Sequence, residues 1–232
     1  MLVTFVFRRE YCDYDKLLRV WQRSAARHMP GVERRVIEID PPQDTGRLDD
    51  ITYAFLAAID YVLEQGRDCI VCDADMMFTG NMMDAFNTEF NTEFDIAVTV
   101  RDARMPYNTG VWFYRETPKA REFMKLWRTK TEMLIANKSE PVIGTYGGLD
   151  QASLALAIME NTSAVVAELP CALYNAEQSC WGSLSQHVKA VHIKSELRDV
   201  CLGSGSAGKK YSKKRMGKGY LKPIAKQWRS YL

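Results

Sequence analysis

The chain has 232 residues, 47% of them hydrophobic, and 31 Lys and Arg against 29 Asp and Glu, so its net charge is +2. That length supports one large domain with a real core. Six cysteines are too sparse for a disulfide scaffold, and no window approaches the roughly 20 apolar residues of a membrane span, so a reducing, cytoplasmic setting is expected.

Leu2 to Phe7 reads as a first buried strand, and Tyr14 to His28 as a helix with Leu17, Leu18, Trp21 and Ala25 at helical spacing, ended by Pro30 and Gly31. Val36 to Ile39 is a second strand before a Pro-Pro turn. Thr52 to Glu64 is a helix with Phe55, Ala58, Ile59 and Val62 on one face and Gly66 as its stop. With Ile70 and Val71 as a third strand, the order is βαβαβ, a Rossmann-like half. Asn81 to Phe90 reads as a short helix, and a tandem Phe-Asn-Thr-Glu places Phe86, Phe90 and Phe94 on one helical face. Strands follow at Ile96–Val100 and Gly110–Tyr114, the latter entered through Tyr107-Asn108-Thr109. Lys119 to Ala136 is a long amphipathic helix, and Asp150 to Met159 another after Gly147-Gly148. Val165–Leu169 and Ala190–Ile193 are the last strands.

The stretch Cys69 to Phe78, CIVCDADMMF, carries the chemistry. An apolar run that stops at Asp73 and Asp75, one residue apart, has the pattern of a buried strand ending at a metal site. In open α/β sheets ligands gather outside the carboxyl ends of strands. Two hard carboxylate oxygens there suit Mg²⁺ or Mn²⁺, which in turn suit a diphosphate. The plainer alternative is a strand-end turn, where Asp is common. Cys69-x-x-Cys72 lies inside the apolar strand with no second pair, so these thiols read as buried core.

Four motifs in order, CDADMMFTGNMMDAF, YNTGVWFYR, GGLDQASL and AVHIK, resemble the nucleotide-diphospho-sugar transferases of the GT-A fold, in particular the group containing glycogenin and the lipopolysaccharide galactosyltransferases. The resemblance spans roughly residues 1 to 195. It implies an α/β, Rossmann-like fold with a mixed central sheet and helices on both faces. It also implies a nucleotide-sugar donor, UDP-linked in first place, and Mn²⁺ or Mg²⁺ held by Asp73, Asp75 and His192. By the same resemblance Asp73 also serves donor binding, Lys194 reaches a phosphate oxygen, Asn108 faces the donor sugar, and Asp150 and Gln151 form the catalytic pair at the sugar and acceptor. Where the family pattern continues from the late His into Gly and Lys-Pro-Trp, Ser195, Glu196 and Leu197 stand here. Arg8 and Tyr11 take the place of an early Ala-x-Asp that reads the nucleobase. Asp150 also suits a helix N-terminus, where it would simply cap. If transfer inverts the anomeric centre it is the candidate base; if transfer retains, Asp150 and Gln151 position the sugar, and the resemblance leans to retention.

Charge is unevenly spread. Asp199 is the last acidic residue, and nine of the 31 cations follow it, leaving 22 against 29 acidic residues before. The chain therefore divides into a catalytic domain, residues 1–202, and a Gly/Ser linker with a basic, aromatic C-terminal segment, residues 203–232. Lys209, Lys210, Lys213, Lys214, Arg215 and Lys218, interleaved with Tyr211, Tyr220, Trp228 and Tyr231, form a candidate nucleic-acid surface; an anionic membrane, a solvated tail or a helix packed on the body are the other readings. GSGSAGKK at Gly203 to Lys210 is not a P-loop, because Lys210 stands where Ser or Thr is required. The expected activity is metal-dependent glycosyl transfer, with hydroxymethylated (phage) DNA or a lipopolysaccharide or capsule glycan as acceptor. A nucleotidyltransferase shares fold and metal chemistry but would show a Gly-rich loop after the first strand. A non-catalytic binding module would be expected to lose the carboxylates.

Overall fold

The computed structural model describes residues 1–7, 14–40, 47–87, 93–102, 106–202, 219 and 221–232, with the backbone alone at 47–49. The elements run β1 (Leu2–Phe7), α1 (Tyr14–His28), β2 (Arg34–Ile39), α2 (Arg47–Gln65), β3 (Cys69–Cys72), β4 (Met76–Phe78), a 3-10 turn (Met82–Ala85), β5 (Ile96–Val100), β6 (Tyr107–Tyr114), α3 (Pro118–Ala136), α4 (Pro141–Tyr146), α5 (Leu149–Glu160), β7 (Val166–Pro170), α6 (Cys171–Tyr174), a second 3-10 turn (Trp181–Ser183), β8 (Ala190–His192), α7 (Ser195–Leu202) and a C-terminal helix (Leu221–Arg229).

Six strands form the central sheet in the order β2-β1-β3-β6-β5-β7. All are parallel except β6, which runs against both β3 and β5. The interior strands are mostly apolar because both faces are covered. Alternation then deals their side chains to two cores. Ile70, Cys72, Ala97, Val111 and Phe113 face one, against Trp21 and Ala25 of α1. Cys69, Val71, Ile96, Val98, Trp112 and Tyr114 face the other, against Phe55 and Ile59 of α2, Phe123 and Trp127 of α3 and Leu154 of α5. The helix α3 begins where expected: Thr117 accepts from Ala120 N at 3.0 Å and Pro118 occupies the first turn.

A two-stranded antiparallel ribbon, β4 with β8, stands beside the main sheet. Under it lies a third core, in which Leu17 and Val20 of α1 and Met77 and Val191 of the ribbon meet Leu197 of α7 and Leu221, Ile224, Ala225, Trp228 and Tyr231. The end of the basic segment is thus built into the body. Arg23 Nη1 donates to Tyr231 O at 3.1 Å, and His28 Nε2 lies 3.1 Å from Tyr231 Oη. Trp228 and Tyr231 are therefore buried, not free to stack on bases, while Lys222, Lys226 and Arg229 point outward. Lys209, Lys210, Lys213, Lys214, Arg215 and Lys218, with the Gly/Ser linker, lie outside the described residues, as do Arg8 and Tyr11.

The short helix expected at Asn81–Phe90 is the 3-10 turn Met82–Ala85, capped by Asn81 Oδ1 on Met83 N. Phe86 and Phe94 do share one core, rings 5.7 Å apart, and neither lies in a helix; Phe90 lies outside the described residues. Among the described residues no helix is long and apolar enough to cross a membrane.

Candidate active site

Cys72 ends β3 in the core, its Sγ accepting from Trp21 Nε1 at 3.2 Å. Burial pushes the Cys69 thiol up to about 11, so it stays protonated, and Cys72 moves the same way for the same reason. The next residues emerge at the strand's carboxyl end. The Asp73 side chain is 53% exposed and that of Asp75 only 7%. The ribbon brings the third group across: β4 pairs with β8 in the register Met76 to His192, and Ile193 N donates to Asp75 O at 2.8 Å. His192 Nε2 then lies 3.4 Å from Asp73 Oδ2 and 3.1 Å from Asp75 Oδ1. Asp73, Asp75 and His192 offer ligand atoms that all lie within 4.8 Å of one another.

The imidazole tautomer follows from its neighbours. Thr99 Oγ1 donates its one hydrogen to Asn108 O at 2.7 Å, so it accepts from Asn175 Nδ2 at 3.0 Å. That turns Asn175 Oδ1 to His192 Nδ1 at 2.9 Å, and Nδ1 carries the proton. Nε2 is the ring nitrogen that faces the two carboxylate oxygens. Two carboxylate oxygens and an imidazole nitrogen converging in this way make a candidate cation site. Bonds of about 2.1 Å at right angles would separate neighbouring ligands by about 3.0 Å, close to the spacings here. A nitrogen with two carboxylates suits Mn²⁺ better than Mg²⁺, which prefers an all-oxygen shell.

Arg198, in the first turns of α7, donates to the other oxygen of Asp75 and to Ile193 O. Burial pushes the Asp75 carboxyl up, but His192 and the Arg198 guanidinium outweigh it and hold the group well below the usual carboxylate range. The chain turns from β8 into α7 through Ser195, whose φ of 49° lies in the left-handed region. The resemblance would place Gly here, and a serine holds this left-handed backbone at a cost of about 1–2 kcal/mol.

The opposite wall comes from an irregularity in β6. The β5–β6 register shifts between Val98 and Thr99, so that Val98 pairs Trp112 while Thr99 pairs Asn108. Thr109, Gly110 and Val111 bulge out of the ladder, toward the end of β3, a common device beside active sites. Asp73 N donates to Gly110 O at 2.9 Å. A Cβ on Gly110 would stand 2.8 Å from His192 Cε1, 2.9 Å from Asp73 Oδ2 and 3.1 Å from Asn108 Oδ1, so glycine is what lets the bulge close on the cluster.

Asp150 is not a helix cap. The cap position of α5 is Gly148, with no side-chain cap bond, and Asp150 Oδ2 accepts from Thr109 Oγ1. Its carboxylate is turned to β6, near enough for its charge to act on Asp73. Gln151 Oε1 accepts from Arg101 Nη2 at 3.2 Å. Asn108, 5% exposed, bonds Gly110 N through Oδ1 and Glu177 through Nδ2, at 3.0 and 3.2 Å. Lys194 Nζ lies 2.5 Å from Glu177 Oε2. Burial raises the Glu177 carboxyl, and the bonds from Lys194 and Arg101 more than reverse that, leaving it below its ordinary value.

The residues named from the sequence that lie within the described portion thus come together: Asp73, Asp75, His192, Asn108, Asp150, Gln151 and Lys194. Sequence reasoning missed Arg101, Asn175, Glu177 and Arg198. Ala176 bridges Val191, donating to Ala190 O and accepting from His192 N, so its neighbours Asn175 and Glu177 project to one side.

The profile of the nucleotide-diphospho-sugar transferase family matches residues 49–194, more than half of the chain and the span that holds all seven of those residues. No curated protein matches the chain in sequence. Solved structures do match in fold. One is a glycosyltransferase involved in glycosylation of the major capsid of PBCV-1, at 13% identity over 84% of this chain and 94% of that one, TM-score 0.60. Another is the glycosyltransferase GlyE of Streptococcus pneumoniae TIGR4, at 17% identity over 99% of this chain and 63% of that one, TM-score 0.59. A third is the galactosyltransferase LgtC with donor and acceptor sugar analogues, at 13% identity over 100% and 99% of the two chains, TM-score 0.55. The mixed sheet flanked by helices is the GT-A fold that the motifs implied.

Proposed function

The chain belongs to the nucleotide-diphospho-sugar transferases and is a glycosyltransferase, and from that premise we propose that it moves a sugar from a UDP-linked donor to an acceptor hydroxyl with Mn²⁺ held by Asp73, Asp75 and His192. The observation that carries this reading is the convergence of Asp73, Asp75 and His192 Nε2, with Asn175 holding the other ring nitrogen of His192. When bound, the ion supplies Lewis acidity that offsets charge on the leaving diphosphate. Lys194 lies on the same side and adds a point charge for a phosphate oxygen. Asn108 and Gln151 orient the sugar. Asp150, held by Thr109, positions the sugar and the incoming hydroxyl. Transfer breaks the bond from the anomeric carbon to the phosphate oxygen, which keeps the electron pair, and makes one to the acceptor oxygen, whose proton passes to the departing diphosphate.

A hydroxymethylated base in duplex DNA is the acceptor we favour. The ground is the run of nine cations with no acidic residue after Asp199, of which Lys222, Lys226 and Arg229 are exposed on the C-terminal helix. The deciding experiment is nucleotide release from a panel of nucleotide sugars with Mn²⁺, with and without hydroxymethylated duplex DNA or oligosaccharides, beside Asp75→Ala. Release that rises with the DNA and vanishes in the variant supports both parts of the reading. Metal-dependent release that rises only with oligosaccharide keeps glycosyl transfer and overturns the DNA acceptor. No turnover of any donor overturns the roles assigned to the site.

A further inference from the structure

One buried carboxylate lies beside the cluster, and its bonds reach the polar residues that would handle the sugar and the diphosphate. Glu177 Oε1 and Oε2 accept from Arg101 Nη1 at 2.9 and 3.1 Å. Oε2 also accepts from Lys194 Nζ at 2.5 Å and Asn108 Nδ2 at 3.2 Å. Arg101 carries the connection on, through Nη2, to Gln151 Oε1 at 3.2 Å. The partners come from four places in the fold: the end of β5, the β6 bulge, the residue after Ile193 that follows β8, and the first turn of α5. The Glu177 side chain is only 7% exposed, and so desolvated a carboxylate is tolerated because two cations and an amide satisfy it.

We infer that Glu177 is the positioning residue of the transfer site, setting the directions of Lys194 and Asn108 directly and of Gln151 through Arg101. This rests on the glycosyl-transfer reading above. Two consequences follow from the chemistry. Lysine has a long, flexible stem, so without an anchor its ammonium samples many positions; Glu177 keeps it on the side where the diphosphate would lie. Glu177 also cancels one of the two positive charges of Arg101 and Lys194. A neutral residue there would leave both free to grip the nucleoside diphosphate in substrate and product alike, and binding that is equal in ground and transition states does not speed the chemical step.

The isosteric Glu177→Gln keeps an oxygen for Arg101 but turns an amide group toward Lys194 and Asn108, which are themselves donors. Glu177→Ala removes every bond. The expected order of kcat is wild type, then Gln, then Ala. The Gln variant should fall on the order of 10–100-fold, as misplacement by about an ångström can cost. KM for the donor and Kd for UDP with Mn²⁺ should stay level or tighten. Affinity for Mn²⁺ alone should not move, because Asp73, Asp75 and His192 do not touch Glu177. If Glu177→Ala does not fold, the Gln variant alone carries the test. A Gln variant with wild-type kcat overturns the inference. So does a parallel loss of kcat, Mn²⁺ affinity and Tm, which is the mark of a merely structural residue. A wild-type protein that neither turns over a nucleotide sugar nor binds UDP overturns the glycosyl-transfer reading itself, and Glu177's role with it.

Discussion

Gly110→Ala tests the geometry of the cluster directly. The added methyl would meet His192 Cε1 at 2.8 Å, Asp73 Oδ2 at 2.9 Å and Asn108 Oδ1 at 3.1 Å. Carbon atoms prefer about 3.5–4.0 Å, so all three neighbours are overlapped at once. They differ in how they can give way. His192 is held by Asn175 in the core and Asn108 by Glu177, whereas the Asp73 side chain is 53% exposed and can swing into solvent. In the metal-free protein Asp73 turns away, while the overlaps with His192 and Asn108 remain as a cost to the fold. The ion needs Asp73 in place, so a cost appears in ion binding as well. Overpacking of this kind costs about 1–3 kcal/mol, which at about 1.4 kcal/mol per decade weakens Mn²⁺ binding roughly fivefold to 150-fold. Titration followed by the paramagnetic resonance of free Mn²⁺ reads the Kd. Thermal melting in EDTA should fall too, by about 2–12 °C for about 1–3 kcal/mol. Gly144→Ala, where an added Cβ meets nothing within 4 Å, is the control and should change neither quantity. An unchanged Mn²⁺ Kd in Gly110→Ala would refute the placement of the bulge against the cluster.

Two further expectations concern residues that touch no substrate. Asn175→Ala removes the acceptor that keeps the proton on His192 Nδ1. Mn²⁺ affinity should drop about 10–100-fold by calorimetric titration, and an unaltered affinity would mean the tautomer is not set by Asn175. Trp228→Ala empties a fully buried position under the C-terminal helix. Such truncations cost about 3–5 kcal/mol, or a Tm lower by about 6–20 °C for a domain of this size. A Tm that barely moves would show that this helix does not share the core of α1 and α7.

Much of the fold was legible because its signals are local. The strands β1, β3 and β5 announce themselves as short apolar runs, α1 and α3 by helical periodicity, and the site by an apolar strand that stops at Asp73 and Asp75. The short ribbon strand β4 left no such trace. At three residues, Met76–Phe78 is too brief for a period, and it forms only because Ala190–His192 arrives to pair with it. The C-terminal helix had its pattern in plain view, with Leu221, Ile224, Ala225 and Trp228 at helical spacing. A helix packed on the body is one of the open alternatives for this segment, and the burial of these four residues decides for it.

The sequence by itself determined the apolar strand that delivers two carboxylates, the late strand that delivers a histidine, and the order of motifs that marks a nucleotide-sugar enzyme. These depend on residue type and short spacing. Only the tertiary structure decided that Asn108 reaches the site through a bulge, that Asp150 turns to Thr109 instead of capping its helix, and that Glu177, Asn175, Arg101 and Arg198 belong beside the ligands. Glu177 lies 76 residues from Arg101, and Asp75 lies 123 residues from Arg198. Contacts across such distances are set by strand register and helix docking, which depend on how the whole chain packs.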